Sequence, residues 1–162
     1  MSRLTRLVSA ACAAILIAAC GGGGGGGGVV IDAVDKYIGS WADCLVVGTL
    51  SSQAVLAFAK RDANSAFYTL TATLHGDTTC TSPLPGSTVA LDSGVVVVDF
   101  AMVAVAFTTV DKVTFNSAPS GISVKDIAFV NGNQLLGGDP LSPKDAGGYP
   151  TALDTGPPFI RQ

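Results

Sequence analysis

The chain has 162 residues, with 9 Lys plus Arg against 12 acidic residues, all of them Asp, one His, and a formal charge of −3. An acidic balance without a basic stretch argues against nucleic acid or an anionic membrane face as partner, and one imidazole with no Glu leaves little for acid–base catalysis. Val, Thr, Ser, Ala and Gly dominate, a composition suited to strands and turns and poor in residues for exposed helix faces.

Residues 1–20 read as a targeting segment. Arg3 and Arg6 form a basic start, Leu7 to Ile17 an apolar core, and Ile17-Ala18-Ala19-Cys20 ends it in small residues. The apolar run is about half the roughly 20 residues a membrane-spanning helix needs. An ordinary secretory peptide cut near Ala14 to Ala19 is one reading. The four terminal residues, however, resemble the lipobox of bacterial lipoproteins at every position. That resemblance implies removal of residues 1–19, acylation of Cys20 including palmitate-type chains, and anchoring of the mature chain in the cell envelope. Gly21 stands where an Asp favours retention in the inner membrane, so the resemblance implies the outer membrane in a Gram-negative cell. Several acyl chains together anchor firmly where one binds only marginally.

The octaglycine run Gly21 to Gly28 follows, so residues 20–28 read as a lipidated cysteine and a tether. Eight residues without a Cβ behave as a coil with an end-to-end distance of roughly 15 Å. Loss of Arg3 and Arg6 leaves the mature chain with 7 basic and 12 acidic residues, a charge of −5. The remainder divides into an antiparallel β domain over 29–136 and an irregular tail over 137–162 that packs on it.

Val29 to Lys36 is a lead-in, either a helical turn or an extended arm. Ser40 to Thr49 reads as a first strand, turning at Ser51-Ser52 into a second, Ala54 to Ala59, and residues 60–65 form a polar hairpin loop. Ala66 to Leu74 alternates most clearly: Phe67, Thr69, Thr71 and Thr73 share one face, and Tyr68, Leu70, Ala72 and Leu74 the other. His75-Gly76-Asp77 makes a turn, Ser82 to Gly86 a loop, Ser87 to Leu91 a short extended piece, and Asp92-Ser93-Gly94 another turn. Val95 to Val110 is dense in β-branched residues and contains Asp99, which fits a long bent strand or two strands better than a membrane span. Asn131-Gly132-Asn133 between Ala128-Phe129-Val130 and Gln134-Leu135-Leu136 is a hairpin signal. Beyond Gly137, prolines and glycines break every period, and Tyr149, Leu153 and Phe159 are the residues that would pin the tail.

Short strands at about ten-residue spacing give an all-β class, a small antiparallel β-barrel, with a β-sandwich as the alternative. Gly39-Ser40-Trp41 resembles the Gly-x-Trp start of lipocalin-like (calycin) barrels, and the resemblance implies that Trp41 closes the barrel bottom. More widely the chain resembles small bacterial envelope lipoproteins that join a glycine leader to such a start, a cysteine pair and a Gly148-Tyr149-Pro150-Thr151-like segment, a likeness that brings no assigned activity.

Four cysteines sort by elimination. Cys12 leaves with the signal, Cys20 takes lipid, and Cys44 and Cys80 remain for a disulfide across neighbouring strands in an oxidising compartment such as the periplasm. Free buried thiols are the alternative; a metal site would need more ligands than the single His75 supplies. His75 and Asp77 are close in sequence, but residues bracketing a tight turn serve the turn and solvent. Asp139 and Asp145 do not match the spacing of a calcium loop. Asp99, alone in the apolar run, is either an outward strand residue or a polar group inside a barrel cavity. No metal or cofactor is expected. The functional readings are a binding module for an apolar ligand or an envelope partner, a structural envelope component without a pocket, and, more distantly, an enzyme.

The anchor is directly testable. Protein extracted from membranes is expected to have an intact mass above that of the peptide beginning at Cys20 by fatty-acyl units, and Cys20→Ser to release it from membranes. A soluble wild-type product beginning after Cys20 would rule the anchor out.

Overall fold

A computed structural model describes residues 31–105 and 108–162. Residues 1–30, with the expected signal segment, Cys20 and the glycine run, lie outside the described residues. After a single 3-10 turn, Asp35–Tyr37, the chain forms eight strands: β1 Gly39–Val47, β2 Leu50–Lys60, β3 Ser65–His75, β4 Val89–Val105, β5 Thr108–Ser117, β6 Ser123–Asn131, β7 Gln134–Leu136 and β8 Phe159–Arg161. They pair antiparallel in chain order, and β8 returns to β1, closing a barrel. The architecture is therefore the small lipocalin-like barrel rather than a two-sheet sandwich.

The inward face follows the strand period of two. Trp41 pairs with Leu56, Leu56 with Leu70, Phe58 with Tyr68 and Ala66 with Val96, so each row of partners points the same way around the sheet. These residues, with Val98, Val113, Ala128 and Leu135, make up most of the core inside the barrel. A barrel of eight strands leaves an interior that side chains can largely fill.

Several expectations shift at particular residues. The turn placed at Ser51-Ser52 occurs three residues earlier, at Gly48-Thr49 with Gly48 at φ +66, and Ser51 is inside β2. Asp92-Ser93-Gly94 is not a turn but the interior of β4, which also absorbs Val89 to Leu91. Gly94 is there for close approach: a Cβ would collide with the Asn116 carbonyl oxygen of β5. The Val95 to Val110 run divides between β4 and β5, with β4 irregular after Val98 and again after Phe100. Irregularities of this kind bend a strand and re-aim its side chains. The Asn131-Gly132-Asn133 hairpin joins β6 to β7 with Gly132 at φ +60.

The tail holds more regular structure than its prolines suggest, because its end, Phe159–Arg161, is the strand that closes the barrel. Upstream of β8 it packs on the outside. Tyr149 is buried against Val110 and Ile127 of the outer face, with Phe129 and Leu153 beside them. Lys112 and Lys125 each sit 5.1 Å from its ring centroid. Asp145 accepts hydrogen bonds from the Gly147 and Tyr149 amides and pairs with Lys112 at 2.5 Å. Lys112 and these amides hold the Asp145 carboxyl at about 2, below its usual 3.8. A carboxylate so depressed stabilises the folded state above its unfolded range, and that contribution fades as pH falls through about 2.

At the end of the barrel away from the 3-10 turn, Cys44 of β1 and Cys80 are joined with Cα atoms 6.1 Å apart. Cys80 is not on a strand but in the loop between β3 and β4, at φ 55, and its amide donates to Ser51 Oγ at 3.2 Å. The bridge therefore fastens a loop to the sheet instead of linking two strands. Replacing both cysteines by Ala is expected to lower unfolding stability by about 3 to 4 kcal/mol. Hydrogen exchange should then accelerate in residues 76–88 while the amides of β2 and β3 near Phe58 and Tyr68 stay protected.

Candidate functional site

The two ends of the barrel differ in chemistry. At one end the 3-10 turn tucks Val34 and Tyr37 into the core. Trp41, fully buried, donates from Nε1 to the Tyr37 carbonyl at 2.7 Å. Arg161 stacks over its ring at 4.1 Å and donates to the carbonyls of Ile38 and Lys36. Trp41 thus packs at the end of the barrel that the 3-10 turn covers. Asp111, 1% exposed, completes the seal by pairing with Lys36 at 2.7 Å and accepting from the Tyr37 hydroxyl at 2.6 Å and the Met102 amide at 3.0 Å. Burial, and then Asp111, push the Tyr37 hydroxyl far above its ordinary range, so it stays a donor.

The opposite end is open and apolar. Leu45, Val47, Leu50, Leu74, Val89 and Val124 are exposed there. Their register puts them on the inward face: Leu45 and Leu74 both pair with Ser52, Val47 with Leu50, Val89 with Ala72, and Val124 with Phe115. Aliphatic side chains on an inner face are normally covered, and here they form a rim.

Below the rim lies a partly open cavity of about 140 Å³. Its wall includes Leu56, Phe58, Val113, Phe115, Leu135 and Phe159, with Tyr37 at the sealed end and one carboxylate, Asp126. Asp126 is inward because it pairs with Val113. Its Oδ1 accepts from the Ile127 amide at 2.8 Å and the Gly138 amide at 2.9 Å. Burial raises its carboxyl above the usual range, opposed by those two amides and by the charge of Lys144. The approach of Gly138 is close: a Cβ there would lie 2.5 Å from Asp126 Oδ1 and 2.6 Å from Pro150 Cγ.

Three further carboxylates stand at inward-facing strand positions, Asp43, Asp92 and Asp111, and the last two are saturated. Asp111 is held as described. Asp92 accepts from the Tyr68 hydroxyl at 2.7 Å, Ser117 Oγ at 2.6 Å and the Ser93 amide at 2.8 Å. Burial and then Asp92 push the Tyr68 hydroxyl up to about 12.

The residues singled out from the sequence do not converge on this cavity. Asp99 is the outward residue of its two readings: exposed in the irregular part of β4, it accepts from Thr114 Oγ1 and, at 3.0 Å, from the Tyr149 hydroxyl on the outer surface. Ordinary alternation after inward Val98 accounts for its direction, and the irregularity that follows turns Phe100 outward as well, opposite Lys112. His75 does not serve turn and solvent: it is 4% exposed, opposite Ser51, with no hydrogen-bond partner for either ring nitrogen among the described residues. Asp77 is occupied by its own turn, accepting from the Thr79 amide and from Thr81, so no His–Asp pair forms. Asp139 accepts from the Leu141 amide within its loop. Among the described residues no group of three or more His, Cys or Asp is placed to hold a metal ion. Asp126 carries no signal in the sequence, where it stands beside Lys125 as the polar half of an alternation; the approaching Gly137-Gly138 offers no signal in one dimension.

No protein-family model, curated protein or solved structure matches this chain.

Gly138 supports the polar corner of the cavity, and Gly138→Ala tests it. The added methyl must displace Asp126 or Pro150, so a loss of about 1 to 3 kcal/mol in unfolding stability is expected. Amide chemical shifts should change together at Ile127 and around Pro150, and a neutral substitution would show that the approach is not needed.

Proposed function

We propose that this chain is a non-catalytic, lipid-anchored binding module of the bacterial cell envelope that takes up a small apolar or amphipathic molecule through the open end of the barrel. The observation that carries the reading is that the inward faces of the strands hold both an apolar cavity wall at Phe58, Val113 and Phe115 and an exposed aliphatic rim at Leu45, Leu74 and Val124. Small-molecule sites are concave, mostly apolar and furnished with few polar groups. An apolar cavity on the order of 150 Å³ is large enough to hold a benzene ring. Acylated Cys20, palmitate among its chains, would anchor the domain at the outer membrane of the cell envelope; this rests on the lipobox resemblance alone. The oxidising compartment it implies is consistent with the Cys44–Cys80 bridge.

A second reading draws on the rim itself. Exposed aliphatics grouped at one end of a small domain also suit contact with an envelope protein, a structural role that needs no pocket.

Toluene separates the two. Ligand-observed NMR is expected to detect toluene binding to the purified domain, and native mass spectrometry of gently extracted protein to find an apolar companion. Leu56→Phe, which adds volume at the cavity wall, should abolish toluene binding while shifting unfolding stability by no more than about 1 to 3 kcal/mol. Equal binding by wild type and variant, or none by either, would favour the rim as a protein contact.

A further inference from the structure

We infer that Asp126 makes the cavity selective for a ligand whose apolar body carries one hydrogen-bond donor, a protonated amine above all, and that Asp126 Oδ2 receives that donor. The inference rests on the cavity being a ligand site and adds the chemical class that the site selects.

Three of the four inward-facing carboxylates make the comparison; the fourth, Asp43 of β1, does not line the cavity. Asp111 has both oxygens engaged, Oδ2 by Lys36 and the Tyr37 hydroxyl and Oδ1 by the Met102 amide. Asp92 likewise engages Oδ2 with Tyr68 and Oδ1 with Ser117 and Ser93. Asp126 engages Oδ1 twice, with the Ile127 and Gly138 amides, and no described residue donates to its Oδ2. Nor does any described Lys or Arg form an ion pair with it. Yet Asp126 is the one of the three that lines the cavity. The two amides fix the orientation of the carboxylate while leaving its second oxygen able to accept.

An acceptor held in an apolar wall discriminates by what it meets. A donor gains a charge-assisted hydrogen bond in a low-dielectric setting, where such bonds are about twice as strong as neutral ones. A hydrocarbon leaves the carboxylate oxygen unpaired, and a second carboxylate meets like charge. Lys144 contributes positive potential at Asp126 without pairing to it, which moderates the preference for a cation and does not supply the missing donor.

The experiment uses three probes that share one phenyl ring on the mature domain: benzylamine, toluene and benzoate, with affinities from ligand-observed NMR. Benzylamine is expected to bind about tenfold or more tightly than toluene, and benzoate more weakly than toluene. Asp126→Asn keeps an Oδ1 acceptor for the Gly138 amide and removes the charge. In that variant the benzylamine advantage should shrink about tenfold with toluene unchanged. Benzylamine binding no tighter than toluene in the wild-type protein would overturn the inference and leave the cavity as an apolar site. Binding of neither probe would overturn the cavity reading and the inference with it. The wild-type comparison needs no variant and stands even if Asp126→Asn does not fold.

Discussion

Closure of the barrel depends on Arg161. The last strand is three residues long and pairs with the first only at Trp41 and Ala42, and with β7 only at Gln134 and Leu135. So short a ladder has few backbone hydrogen bonds, and an isolated piece of this length has little independent stability. The guanidinium supplies what the ladder lacks. It lies 4.1 Å from the Trp41 ring and donates to two carbonyls of the chain that leads into β1. Beginning and end of the domain are thereby joined through one planar cation, stacked on one side and hydrogen-bonded at its edge. Arg suits this position because its planar fork allows stacking and several directed hydrogen bonds together, which a Lys ammonium does not. The same contact orders Trp41 and the 3-10 turn, and with them Tyr37 and its bond to Asp111. An open sheet would expose edges at β1 and β7, and closure removes both.

What the sequence reveals about this fold depends on how many faces of a strand are covered. β3 is legible because its outer face is wet: Phe67 and Thr69 are exposed, Tyr68 and Ala66 buried, and period two survives in the letters. The Asn-Gly hairpin and the cysteine pair are equally readable, the first from backbone conformation and the second by elimination. β5 and β6 are harder, because the tail covers their outer side. Ile127 is fully buried although it points outward, and Asp126 points inward although it is charged. Alternation there suggests the reverse of the true facing. β8 was missed for another reason: three residues after two prolines carry no period, and their strand character comes from partners on β1 and β7 far away in the chain.

The same covering explains why the wrong carboxylate stood out. Asp99 draws notice by being polar among Val98, Phe100 and Ala101, but alternation after inward Val98 puts it on the outer face, where Thr114 and Tyr149 accommodate it. Asp126 looks ordinary beside Lys125. Its distinction is three-dimensional, arising from the register that pairs it with Val113 and from the loop at Gly138 that holds one of its oxygens. A charge in an apolar run is a one-dimensional oddity, whereas a carboxylate with one oxygen fixed and the other unengaged beside a cavity is a property of packing.

Segregation of polar chemistry by depth ties these features together. Inward-facing charges at the sealed end are satisfied completely, as burial requires where an unpaired charge costs several kcal/mol or more. Asp111 with Lys36 and Tyr37 meets that requirement and rigidifies the base. Asp126 has no donor to its Oδ2 among the described residues, and it borders the cavity. The tail that covers the outer face is also what brings Gly138 to the Asp126 carboxylate, through the loop packed against Pro150. Tail docking and the orientation of the cavity carboxylate are therefore one mechanical unit. The cation–π cradle of Lys112 and Lys125 around Tyr149, on the outside of the barrel, bears on the polar corner inside it through that loop.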